Sequence, residues 1–435
     1  MGSYIPADTR ETDAMLDAVG VASFDELYRQ VPPEARIDHL DIAPGVSEIE
    51  ALAHMEQLAE RNTRFASVFR GAGAYRHYIP AIVRTVTAKE EFLTAYTPYQ
   101  AEISQGVLQS IFEYQTQVCE LTGMDVSNAS VYDGATAAAE GLLMCLDRRR
   151  DAVVVSGTAH PQTIETIRTY CASRKVSCTV VAATADLSTD AAGIAAALDA
   201  TVAAVYVQSP NYYGIIEDVG ALAEAAHGAG AKLVQGFNPI SLGLIRTPGE
   251  HGADIAVGEG QCLGLPLGFG GPYLGIMCAD KGMVRKLPGR IVGETADADG
   301  RRAFVLTLQA REQHIRREKA SSNICSNEAL CAMAASAYLA ALGDAGLARV
   351  AELSYAHAHY LADRLGEMGF ALLSDKPFFN EFATSCPKDA AIIEEALAER
   401  GILSGLPLPE GMLWCATELN TKIEIDALID ALREV

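Results

Sequence analysis

Polar side chains recur in this sequence just after short apolar runs, and their types suit the recognition of a small polar ligand. Asp133-Gly134-Ala135-Thr136 opens a helical stretch. Free backbone N–H groups, the Thr136 hydroxyl and the positive end of the helix dipole together suit a phosphate there. The plainer reading of Asp133 is an N-cap. His160, in Ser156-Gly157-Thr158-Ala159-His160-Pro161, follows the next apolar run. It could stack on a planar ring, although a lone histidine at a helix start is often structural. Gln208-Ser209-Pro210-Asn211 and Val234-Gln235-Gly236-Phe237-Asn238 close two further runs. The stretch from Gly252 to Pro272 is a short apolar run followed by a glycine-rich loop, a setting that brings backbone close to something small. That loop carries Gln261 and Cys262 but no strong base, no cation and no hydroxyl nucleophile. Cys262 as an autonomous nucleophile has no sequence-adjacent base to lower its pKa.

These residues need strands that end along one edge. Near-continuous apolar runs over Ala152 to Val155, Cys178 to Ala182, Ala203 to Val207, Lys232 to Val234, Ile255 to Val257 and Tyr273 to Met277 read as strands covered on both faces. Helices are expected over Thr136 to Leu146, Pro161 to Ala172, Asp190 to Leu198 and Val219 to Ala229. Alternation of this kind implies an α/β fold with a mostly parallel sheet, in which ligands sit beyond the strands' carboxyl ends. Asp133, Thr136, His160, Asn211, Gln235, Gln261 and Cys262 are therefore candidates for one crevice.

Upstream, Glu11 to Val19, Phe24 to Gln30 and Glu48 to Asn62 read as helices, the last capped by Ser47 and striped by Ile49, Leu52, Met55 and Leu58. Glu102 to Leu121 repeats apolar residues at helical spacing and ends at Gly123. Two aromatic, glycine- or proline-bearing stretches, Phe69 to Pro80 and Tyr96 to Glu102, read as loops that either pack as connectors or line a pocket. Arg301 to Asn327 is a polar, cation-rich bridge. Beyond it come helices over Glu328 to Leu342, Leu347 to Met368, Asp389 to Arg400 and Ile423 to Arg433, with strands near Phe370 to Leu373 and Leu413 to Ala416. The expected organisation is a helical segment (residues 1–85), a large α/β domain (86–325) and a smaller α/β domain (326–435).

The 435 residues carry 56 acidic against 34 basic side chains, a net charge of -22. That balance argues against binding nucleic acid or anionic lipid. Apolar runs fall short of the roughly 18 residues a membrane helix needs. The ten cysteines are scattered, with no Cys-x-x-Cys and no metal-ligand spacing, so no metal is expected. Free thiols and the lack of a secretory leader point to the cytoplasm.

Several strings, taken together, resemble a known family. The helix-start phosphate loop, a histidine after the next strand and a polar residue at a later strand end resemble the large domain of fold-type I pyridoxal phosphate enzymes. More narrowly, Tyr96 to Gly106, Asp133 to Glu140, His160-Pro161-Gln162-Thr163, Gly252-Ala253-Asp254 and Arg311 to Cys325 resemble the P-protein of the glycine cleavage system, glycine dehydrogenase (decarboxylating). The last string is the most specific. The likeness spans most of the chain and, at this length, is similar to the separate alpha subunit of the split form.

The resemblance also shows what is missing. The family's catalytic half has Asp-Gly where this chain has Gln235-Gly236, and a histidine and the cofactor lysine where it has Gln261-Cys262. Neutral Gln235 cannot keep a pyridine nitrogen protonated by charge. No lysine lies between Lys232 and Lys281. The resemblance therefore implies that a catalytic beta subunit binds pyridoxal phosphate covalently, in an α2β2 assembly that takes glycine and passes its aminomethyl group to lipoylated H-protein. Tyr96, Tyr99, Arg311, His314, Arg316 and Arg317 would reach the partner's site, the arginines holding phosphate, carboxylate or the lipoyl carrier. The alternatives are a solvated helix face for the basic run, and a structural or regulatory pseudo-enzyme for the chain.

Overall fold

The computed structural model describes residues 8–37, 39–320, 322 and 328–435, and the side chain of Arg311 lies outside that description. The boundary expected at 325/326 and the end of the basic string, Ser322 excepted, fall outside it too. The chain divides into two compact units, Met1–Arg64 and Phe65–Val435. In the first, Asp8 caps the helix Thr9–Val19, which Gly20 ends at φ 78°. Ser47 and Glu50 form a reciprocal capping box on the helix Glu48–Glu60. The expected stripe of Ile49, Leu52, Met55 and Leu58 is exposed.

The second unit is built on a seven-stranded sheet: β1 (Val126–Ser127), β2 (Ala152–Ser156), β3 (Ser177–Val181), β4 (Val202–Gln208), β5 (Lys232–Phe237), β6 (Ile255–Glu259) and β7 (Gly275–Ala279), ordered β1-β7-β6-β5-β4-β2-β3. The five strands β3-β2-β4-β5-β6 are parallel to their neighbours, and β7 runs antiparallel to β6 and β1. The sheet is thus mostly parallel, and the reason is in the strands. Val153 and Val155 enter the cluster on one face and Val154 the cluster on the other, so an unbroken valine run is satisfied on both sides.

Helices α2 (Gly134–Cys145) and α3 (Pro161–Arg174) supply Leu142 and Ile167 to the first face. On the other, α1 (Gln105–Thr122) and the first half of α4 (Ala329–Gly366) bring Tyr114, Val118 and Tyr338 against Phe237 and Ile276. Helix α4 is long and apolar enough to cross a membrane by length and composition. It is broken at Gly343 (φ 63°, ψ -173°), as the two expected helices require, and its second half packs Leu361 and Leu365 against Trp414. A small antiparallel sheet completes the chain, with β10 (Glu381–Thr384) and β11 (Leu406–Leu408) flanking β12 (Gly411–Cys415).

Three expectations need correction. The bridge from Arg301 starts as a strand: β9 (Arg302–Thr307) pairs antiparallel with β8 (Ile291–Ala296). Phe370 to Leu373 is not a strand; only Leu372 bridges to Thr384, while Phe370 stacks edge-on to Trp414 at 5.9 Å. The return strand begins at Gly275, which leaves Tyr273 free to face a cavity.

Candidate functional site

A cavity of 320 Å³ lies beyond the carboxyl ends of β4, β5 and β6 and against the start of α2. The loop Ala72 to Tyr75 and Asn380-Glu381 close it. Of the residues singled out from sequence, Asp133, His160 and Asn211 line it, while Thr136, Gln235, Gln261 and Cys262 do not. Among the described lining residues none is Lys or Arg, and three are carboxylates: Asp133, Glu259 and Glu381.

The start of α2 is already taken by carboxylates. Asp133 caps it, Oδ1 accepting from the Thr136 N–H at 2.7 Å. Glu259, the last residue of β6, reaches across with Oε2 accepting from the Gly134 N–H at 2.9 Å. Its Oε1 accepts from the amides of Gln261 (3.0 Å) and Leu274 (3.1 Å). A Cβ on Gly134 would lie 2.9 Å from the Glu259 nitrogen, so glycine there lets the helix start abut the strand end. Burial pushes the Glu259 carboxyl up to about 7 against the pull of these amides, and Asp133 adds to the rise. Sequence reasoning passed over Glu259, although it stands at a strand end inside the glycine-rich stretch.

Opposite, the loop Ala72 to Tyr75 is strapped down by three side chains. Glu381 accepts from the Ala72 N–H at 2.6 Å and from the Tyr75 hydroxyl at 2.6 Å. Burial pushes Glu381 up to about 7, and these two donors pull the other way. Gln261 accepts from the Tyr75 N–H (2.9 Å) and donates to the Tyr75 carbonyl (3.0 Å). His160 Nε2 donates to the Ala72 carbonyl at 2.8 Å, while Nδ1 accepts from the Gln162 N–H at 3.2 Å. Those bonds define a neutral imidazole protonated on Nε2, and burial lowers its pKa further from the charged range. His160 therefore ties a loop; its own aromatic neighbour is Tyr212, edge-on at 5.1 Å.

The remaining candidates are spent on the fold. Asn211 donates to the Leu187 carbonyl and to Glu217, and accepts from the Tyr213 and Ile215 amides. Gln235, 1% exposed, turns to His251, with 3.2 Å between Oε1 and Nδ1. Cys262 is buried beside Phe237, Leu263 and Tyr338, and burial pushes its thiol well up, so it is a poor nucleophile. Lys232 starts β5, at the edge away from the cavity, and its ammonium pairs with Asp254.

The aromatic loop and the basic run meet elsewhere. Tyr96 and Tyr99 are 81% and 63% exposed, and neither lines the cavity. Arg290, only 3% exposed, sets its guanidinium over the Tyr99 ring at 4.9 Å and pairs with Glu312 at 3.8 Å. Nε and Nη1 of Arg290 have no hydrogen-bond partner. Glu312 also lies 3.6 Å from His314, while Arg316 donates to the Ala310 carbonyl and Arg317 is exposed. Arg290 thereby joins two segments that sequence could name only separately; a single arginine before an apolar run carries no such signal.

A family model described as glycine cleavage system P-protein matches residues 2–432. The chain is 48% identical over 443 residues to a probable glycine dehydrogenase (decarboxylating) subunit 1 of Thermomicrobium roseum, covering 99% of each. It is 49% identical over 438 residues to the protein so named in Desulforamulus reducens, covering 98% of each. Among solved structures it is similar to an inhibitor-bound glycine decarboxylase (P-protein) of the glycine cleavage system, with TM-score 0.91 and 45% identity over 100% of both chains. A cysteine desulfurase from Thermococcus onnurineus shares the fold alone, with TM-score 0.63 and 15% identity over 85% of this chain and 94% of that one.

Proposed function

Since this chain belongs to the glycine cleavage system P-protein family, we propose that it is the subunit of a heteromeric glycine decarboxylase that tethers no cofactor. The observation that carries this reading is the cavity itself. Among the described lining residues there is no lysine, Lys232 is committed to Asp254, and the first amide of the helix that would face a phosphate is taken by Glu259. Pyridoxal phosphate does not fit these residues: there is no amine to tether it, no carboxylate at Gln235 to charge its ring nitrogen, and no free amide at Gly134 for its phosphate. The cofactor then belongs to the catalytic beta subunit, in an α2β2 assembly. There it serves as the electron sink when glycine loses carbon dioxide and the aminomethyl group passes to the lipoyl arm of H-protein.

This chain's contribution is the surface that Arg290 assembles. Tyr96 and Tyr99 present exposed rings, and Arg290 ties Tyr99 to Glu312 on the segment that carries the exposed Arg316 and Arg317, a set of groups suited to an anionic or carboxylate-bearing group on a neighbouring chain. Arg311 lies on the same segment in sequence. Single replacement of Arg311, His314, Arg316 and Arg317 in the assembled complex tests the proposal. Loss of glycine turnover with assembly intact supports it. Unchanged turnover in every variant would instead make the chain a structural or regulatory pseudo-enzyme.

A further inference from the structure

We propose that Glu259 is the residue that keeps phosphate esters out of this chain's cavity, its side-chain carboxylate standing where a phosphate would otherwise sit. The inference rests on reading the cavity as the counterpart of a cofactor pocket, and it adds a cause of exclusion separate from the absent lysine.

A phosphate at a helix start is held by backbone N–H groups and by the helix dipole. Here the Gly134 N–H, the first in α2, donates to Glu259 Oε2, and the Gln261 and Leu274 amides converge on Oε1 of the same carboxylate. One planar anion thus gathers amides from three segments: the helix start, the loop after β6 and the approach to β7. Asp133 takes the Thr136 amide besides. An incoming phosphate would meet two carboxylates and no cation among the described lining residues. Displacing Glu259 would also leave a half-buried carboxylate without its three amide donors, which is unfavourable. Four amides at this end of the cavity, those of Gly134, Thr136, Gln261 and Leu274, are thus already engaged by this side chain or by Asp133.

Removing the carboxylate should therefore open an anion site where a lysine alone would not. The full-length chain, alone and in complex with its catalytic partner, would be titrated with inorganic phosphate and with pyridoxal 5′-phosphate by equilibrium dialysis. Wild type, Glu259→Ala, Glu259→Gln and Glu381→Gln would be compared, each checked for native circular dichroism. Glu259→Gln keeps the shape and guards against misfolding in the alanine variant. Glu381→Gln removes a charge from the same cavity without freeing an α2 amide. We expect no saturable binding to the isolated wild-type chain or to Glu381→Gln, and at least a tenfold gain for Glu259→Ala, with Glu259→Gln between. Saturable binding by the isolated wild-type chain would overturn the proposal. So would folded Glu259→Ala and Glu259→Gln chains that bind no better than wild type, or an equal gain in Glu381→Gln. Glycine turnover by the wild-type complex is scored in parallel, so failure of the subunit reading appears as a different result from failure of the exclusion.

Discussion

The Tyr75 hydroxyl donates to Glu381 Oε2 at 2.6 Å, joining residues 306 apart in the chain. The bond fastens the loop that closes the cavity to the small C-terminal sheet. Tyr75→Phe leaves Glu381 with the Ala72 amide alone and should destabilise the protein by about 1–3 kcal/mol, the cost of a buried carboxylate short of one donor. Denaturant unfolding of the purified chain measures this, and a change below about 0.5 kcal/mol would count against the strap.

Burial raises the carboxyl groups of Glu140, Glu217, Glu259 and Glu381, and together they set a pH dependence. Glu259 and Glu381 have folded-state values of about 7 against an ordinary 4.5. A raised carboxyl pKa means that the folded state binds protons more tightly than the unfolded one. Their contribution is therefore complete below about 4.5 and is lost as pH rises through about 7. Glu418 runs the other way: burial raises it, but the His77 bond and charge and the Tyr78 amide outweigh that and hold it low. Its contribution is present above 4.5 and is lost on acidification. Denaturation midpoints measured from about pH 5 to about pH 8 should fall in wild type, and the fall should be shallower in Glu381→Gln. A slope unaltered by that substitution would contradict the assignment.

His77 Nδ1 lies 2.6 Å from Glu418 Oε2, with side chains only 2% and 9% exposed. His77→Ala strands a buried carboxylate and should cost about 3–5 kcal/mol, whereas His77→Gln, which keeps a donor, should cost less. Thermal unfolding of the three proteins under one buffer condition orders them. Equal melting of the alanine and glutamine variants would show that the pair contributes little.

Arg290 acts as a positioning residue, holding Tyr99 and Glu312 together. Arg290→Lys loses the planar stack and should lower turnover of the assembled complex on the order of tenfold while subunit association persists. Tyr99→Phe keeps the ring and should retain most activity; Tyr99→Ala should not. Steady-state rates paired with size-exclusion profiles separate a misplaced surface from a failed assembly.

How much of this was legible beforehand depended on which interactions leave a local trace. The runs at Ala152 and Ala203 announce themselves because strands buried on both faces must be apolar throughout. The hairpin of β8 and β9 did not, since Arg302, Phe304 and Leu306 share one side and dilute the alternation. Phe370 to Leu373 misled because an apolar run packs equally well as a loop over Trp414. At the cavity, polar residues at strand ends marked the right edge, yet Gln235 turns away to His251. Glu381 is buried and Glu259 half-buried, and the segments that enclose and bond them lie far away in sequence.

Gln261 and Cys262 also bear on whether a cofactor lysine could be introduced into this chain. Introducing Lys at 262 would place an ammonium among Phe237, Leu263 and Tyr338, and changing Gln261 would unstitch both backbone bonds to Tyr75. With Glu259 seated on the start of α2 as well, a single substitution would leave the other contacts in the way of a tethered cofactor. On the reading proposed above, a division of labour between two polypeptides would be held in place by small, mutually supporting contacts.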